Sequence, residues 1–73
     1  MPKLPRCTGK EMVRALVRHG FSVVRIQGSH HVLQKGDVHT VVPVHGNELL
    51  KLGTLRSILR DIDVSPDELR EWV

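Results

Sequence analysis

Apolar positions recur along this chain with two periods, and the change from one to the other marks where helix gives way to sheet. From Thr8 onward, Met12, Val13, Leu16 and Val17 gather on one side at about 100° per residue. Lys10, Arg14 and Arg18 follow one another at i, i+4 and i+8 on the opposite side. Thr8-Gly9-Lys10-Glu11 fits a capping box, and Gly20 is placed to stop the helix just after His19. The next run, Phe21 to Gln27, is rich in β-branched residues and alternates as a strand does. That alternation points Val24 and Ile26 to the core and Arg25 and Gln27 outward, with Phe21 packed where helix meets sheet. Gly28-Ser29 reads as a tight turn, and His30 to Lys35 as a second strand. Gly36-Asp37 turns the chain back into a third strand, Val38 to Val44. Val38, Thr40, Val42 and Val44 share one of its faces; His39, Val41, Pro43 and His45 share the other. Pro43 has no amide donor and belongs at a sheet edge or a strand end.

After a loop at His45-Gly46-Asn47, Glu48 to Leu52 reads as a helical turn. Thr54 then caps a second helix whose Leu55, Ile58, Leu59 and Ile62 share one side. Ser65-Pro66-Asp67-Glu68 repeats the start signals, and a short last helix carries Leu69 and Trp72. The order predicts an α+β fold: an α-β-β-β-α two-layer sandwich with a three-stranded antiparallel sheet and a short C-terminal helix. Its topology is that of the double-stranded-RNA-binding domain, with one sheet face left open. Residues 1–73 make a single domain, with residues 1–6 as a loosely held arm.

Composition narrows the class only a little. A 73-residue chain buries about 60% of its unfolded surface, enough for one modest core. Eleven Lys and Arg against eight Asp and Glu give +3, a mild balance compatible with a polyanionic partner. The lone cysteine, Cys7, excludes an internal disulfide, and zinc spacings are absent. No apolar run approaches the length of a membrane span or a signal-peptide core, so a cytoplasmic address without membrane contact is expected.

Two features carry candidate chemistry. His30 and His31 follow the turn directly, and alternation sends them to opposite faces, one inward and one toward whatever docks. Imidazole titrates near neutrality, as acid–base chemistry at cellular pH requires. Spacing alone leaves open which of the two acts, and fits ordinary turn-flanking residues as well. The Lys10–Arg14–Arg18 stripe suits a phosphate backbone, but also the solvated face of any surface helix.

Five segments, taken together, narrow the reading. They are Gly20-Phe21, Arg25, Gly28-Ser29-His30-His31, Val42-Pro43-Val44-His45 and Gly53-Thr54-Leu55-Arg56-Ser57-Ile58-Leu59. In this order and spacing, from about Glu11 to Leu69, the chain closely resembles the HicA toxin family. These are small messenger-RNA-cleaving partners in toxin–antitoxin pairs. The resemblance implies an endoribonuclease whose essential residue is the histidine after Gly-Ser, here His30, and a HicB-type antitoxin that covers it. Many relatives carry an aromatic residue in the second strand where this chain has Val32-Leu33. With one phenylalanine, one tryptophan and no tyrosine, platforms for base stacking are few.

On this reading His30 is the base that removes a ribose 2′-hydroxyl proton, while Arg25 and Lys35 steady charge on the phosphoryl oxygens. Gly28 and Ser29 hold the backbone close, and Lys10 and Arg14 bind RNA along its backbone. A second acid–base group is not evident; His39 and His45 are the third-strand candidates. A non-catalytic double-stranded-RNA-binding module is the alternative, resting on Lys10, Arg14 and Arg18 more than on His30. A metal centre built from His30, His39 and His45 lacks any recognisable motif, so no metal or other cofactor is expected. Free of its antitoxin, the protein is expected to be a monomer or weak dimer.

Overall fold

The structure is a computed structural model and describes residues 4–73. Its elements are α1 (Gly9–Arg18), β1 (Ser22–Gln27), β2 (His30–Lys35), β3 (Val38–Pro43), α2 (Leu52–Ile62) and α3 (Pro66–Trp72). The strands form one antiparallel sheet in the order β1-β2-β3. The helices lie on one side, burying Leu33, Thr40 and Val42, and the opposite face is open. This is the expected α+β sandwich.

The α1 start is the expected capping box. The Glu11 amide donates to the Thr8 hydroxyl at 3.1 Å, and the Glu11 carboxylate accepts from the Thr8 amide at 2.8 Å. The bond from the Thr8 amide first, and the Thr8 side chain second, hold the Glu11 carboxyl below its ordinary range. The helix ends at Gly20, whose φ of +94° suits glycine. Its buried side is Met12, Ala15 and Leu16; Val13 is half-buried, and Val17, expected inward, stands exposed at the rim. Phe21 is buried at the helix–sheet junction as expected.

Val24 and Ile26 are not buried as expected: they are 53% and 61% exposed. A β-bulge is the reason for Val24. Register runs regularly back from the turn through Arg25↔Val32, then shifts so that Val23, not Val24, lies opposite Leu33. Ile26 does face the helix side, pairing with His31, but β1 is an edge strand and every residue in it is exposed.

The segment before α2 departs from expectation too. Residues 48–51 form no helical turn. Leu49 makes an antiparallel bridge to Thr8, and the Leu50 amide donates to the Cys7 carbonyl at 2.8 Å. This extended pairing drops Leu50 into the core at 3% exposure. The helix starts earlier than a Thr54 cap allows, because the Leu55 amide already bonds the Lys51 carbonyl. Lys51 is the N-cap, without a side-chain capping bond, and Thr54 lies inside the first turn. Leu55, Ile58, Leu59 and Ile62 form the buried stripe as predicted. Thr40, the buried polar residue of β3, donates to Asp61 at 3.1 Å and so ties the sheet to α2.

Of the arm, residues 1–3 lie outside the described residues. Leu4 packs against the core, and Arg6 donates to the Leu50 carbonyl at 3.3 Å, so the described part is held. Cys7 is fully buried, and that burial pushes its thiol above the ordinary value, with Glu11 adding to the rise against Arg6.

Candidate active site

The site is built at the β1–β2 turn. Gln27 and His30 are the last paired residues, so Gly28 and Ser29 form a two-residue hairpin loop. Gly28 has a φ of +60° and Ser29 a negative one, the sign pattern of a type II′ turn. A Cβ on Gly28 would meet nothing within 4 Å, so glycine is needed there for its backbone conformation rather than for space. The Val44 amide donates to the Ser29 carbonyl at 2.7 Å, which carries the β2–β3 ladder one residue past Pro43 and fixes the turn against β3.

His30 is exposed on the open face, with Gln27 on one side and Pro43 on the other as cross-strand partners. Arg25 pairs with Val32, two residues along β2 from His30, so Arg25 shares that face as a diagonal neighbour. No Phe, Tyr or Trp lies on the open face: Phe21 is buried, and Trp72 stacks on His19 on the helix side.

His31 points the other way. It lines a shallow groove of about 390 Å³ with Lys10, Val13, Arg14, Val17 and Val44. Its Nδ1 lies 3.4 Å from the Ser29 carbonyl oxygen. The structure therefore brings Lys10 and Arg14 to His31 and separates them from His30 by the thickness of the sheet. Lys35 is also absent from the His30 site. It ends β2 on the helix side, donates from Nζ to the His19 carbonyl at 2.9 Å and lies 5.9 Å from the Phe21 ring centroid. Its role is to fasten the end of α1 to the sheet.

A cavity of about 240 Å³ adjoins Pro43 at the β3 edge, walled by Pro43, His45, Glu48, Leu49, Leu50, Lys51 and Thr54. Sequence reasoning missed this wall because it placed a helical turn over 48–52. The signal available was Leu49-Leu50, adjacent apolar residues that suit an extended segment with one side in the core. Among the described residues, no group of three or more His, Cys, Asp or Glu side chains is placed to hold a metal ion. None of the described helices is long and apolar enough to cross a membrane.

A small α+β domain that carries a histidine on an open sheet face, just past a Gly-Ser turn, with an arginine as its diagonal neighbour, presents an imidazole and a guanidinium together to solvent. The chain matches the family model described as the HicA toxin of bacterial toxin–antitoxin over residues 9–64, from the first residue of α1 to just past α2. It belongs to the HicA toxin family, and is the toxin of a toxin–antitoxin pair. No curated protein matches it.

Proposed function

We propose that this toxin is a metal-independent endoribonuclease that cleaves messenger RNA with His30 as its acid–base group, and that a HicB-type antitoxin neutralises it. The observation that carries this reading is the position of His30: an exposed imidazole on the uncovered sheet face, with Arg25 on the same face. Neutral His30 takes the proton of a ribose 2′-hydroxyl, and the oxygen attacks the adjacent phosphorus. Arg25 stabilises the charge that builds on the non-bridging oxygens. Gly28 and Ser29, with no side chain beyond a hydroxymethyl between them, let the ribose-phosphate backbone come close. Lys10 and Arg14 serve RNA that has rounded the β1–β2 turn, binding phosphates on the far side of the sheet. Lys35 plays no part in this reading.

Induced expression tests the proposal. Wild type arrests growth and depletes messenger RNA, His30→Ala does neither, and co-expression of the antitoxin restores growth. RNA decay by the His30 variant at the wild-type rate contradicts it. Binding without cleavage is the second reading, favoured by the exposed Lys10 and Arg14 on α1. It predicts salt-sensitive RNA binding that is unchanged in His30→Ala and yields no new RNA ends.

A further inference from the structure

We infer that His45 is the second acid–base group of the proposed cleavage: it protonates the leaving 5′-oxygen, and the cavity it lines seats the nucleotide 3′ to the cut. The inference rests on the nuclease reading and adds the group that a lone base leaves missing.

Two independent observations single out His45. The first is register. His30 lies opposite Pro43, and the bond from the Val44 amide to the Ser29 carbonyl continues the ladder. His45 lies two positions past Pro43, just beyond the end of β3. Val44 between them lines the helix-side groove with His31, so alternation carried on through Val44 turns His45 to the face that carries His30. Diagonal cross-strand neighbours of this kind are about 7–8 Å apart. In-line displacement puts the attacking and leaving oxygens on opposite sides of phosphorus. Two imidazoles rooted at that spacing flank one phosphodiester, each within reach of one oxygen.

The second observation is the cavity. Pro43, the residue across from His30, and His45 line the same 240 Å³ hollow. Lys51 and Thr54 offer it polar groups, and Leu49, half-exposed, an apolar one. A nucleotide leaving on the His45 side therefore has a pocket to enter. The other histidines are excluded by position. His39 pairs with Gln34, four residues up β3 from Pro43; His31 is on the helix side; His19 is stacked on Trp72.

The step balances without any further reactant. His30 accepts the 2′-hydroxyl proton, the O2′–P bond forms and the P–O5′ bond breaks. The His45 imidazolium gives its proton to O5′. The products are a 2′,3′-cyclic phosphate and a 5′-hydroxyl, and water returns both imidazoles to their starting protonation states.

A paired-substrate assay tests the assignment. One oligoribonucleotide spans a cleavage site mapped with the wild-type protein; the other carries sulfur in place of the scissile O5′. A thiolate leaves without needing a proton. His45→Ala is expected to cut the ordinary RNA about 10²–10⁴-fold more slowly than wild type, and the sulfur-bridged RNA at nearly the wild-type rate. His30→Ala is expected to be slow on both, and His39→Ala to match wild type on both. His45→Gln, with folding followed by circular dichroism, repeats the comparison should the alanine variant unfold. Undiminished cleavage of ordinary RNA by the His45 variants, or an equal loss on both substrates, overturns the assignment while leaving His30 in place. Absence of any cleavage site when wild type is mapped on RNA overturns the nuclease reading itself.

Discussion

Gly9, the first residue of α1, has no room for a side chain. A Cβ there would fall inside the contact distance of the Pro43 carbonyl oxygen and 2.9 Å from the Val44 Cα, both backbone atoms. Gly9→Ala must therefore push the start of α1 away from the end of β3. A loss of about 1–3 kcal/mol is expected, the usual range for overpacking, read from chemical denaturation. An unchanged midpoint would show that the two segments can part freely. Thr8→Ala removes one half of the capping box and is expected to cost about 1 kcal/mol. The same box sets an acid dependence. Because Glu11 titrates lower in the folded protein than in the unfolded chain, it stabilises the fold above its unfolded pKa. That contribution is lost as pH falls through the folded value. Glu11→Gln should flatten this part of the acid limb, and an identical pH–stability curve would count against the box. Cys7 has the opposite sign. Its raised thiol pKa leaves stability intact below the ordinary thiol value and withdraws it as pH climbs toward the folded one.

Among the elements, α3 is held to the domain from two sides. Leu69 is buried, and Trp72 stacks on His19 with ring centroids 3.8 Å apart, while Arg18 donates to the Trp72 carbonyl. Trp72→Ala is expected to lower stability by about 1–3 kcal/mol and to leave RNA cleavage per folded molecule unchanged, since α3 lies across the sheet from His30. Equal loss of cleavage and stability would tie the two together. Elements with local signals were legible in the sequence. The Thr8 capping box, the Ser65-Pro66 start of α3, the two Gly-led hairpin turns and the α2 stripe need only neighbouring residues to form, and each is where the pattern put it. What escaped depends on distant partners. The bulge at Val24 follows from pairing with β2, and the extended run at Leu49-Leu50 from pairing with Thr8 and Cys7. No short-range period reports either one.

At the scale of the molecule, the sheet divides two chemistries. His30 and Arg25 occupy its bare side; Lys10, Arg14 and His31 border a valine-lined groove on the helical side. Alternation already separated the two histidines in the sequence. It did not show that the basic stripe of α1 would accompany His31, because that requires knowing how α1 crosses the sheet. Charge reversal at Lys10 and Arg14 is therefore expected to weaken RNA binding and its salt dependence without abolishing the cleavage step at saturating RNA. Loss of that step at saturation would place the stripe at the reacting phosphate. The central claim is that one open-face imidazole starts the cleavage, and the ends left on the RNA report it most directly. Mass spectrometry of fragments made by the purified protein in EDTA should find 2′,3′-cyclic phosphates and 5′-hydroxyls with wild type. An equally well folded His30→Gln protein should leave the RNA whole. Fragments ending in 5′-phosphates, or undiminished cutting by His30→Gln, would contradict the account.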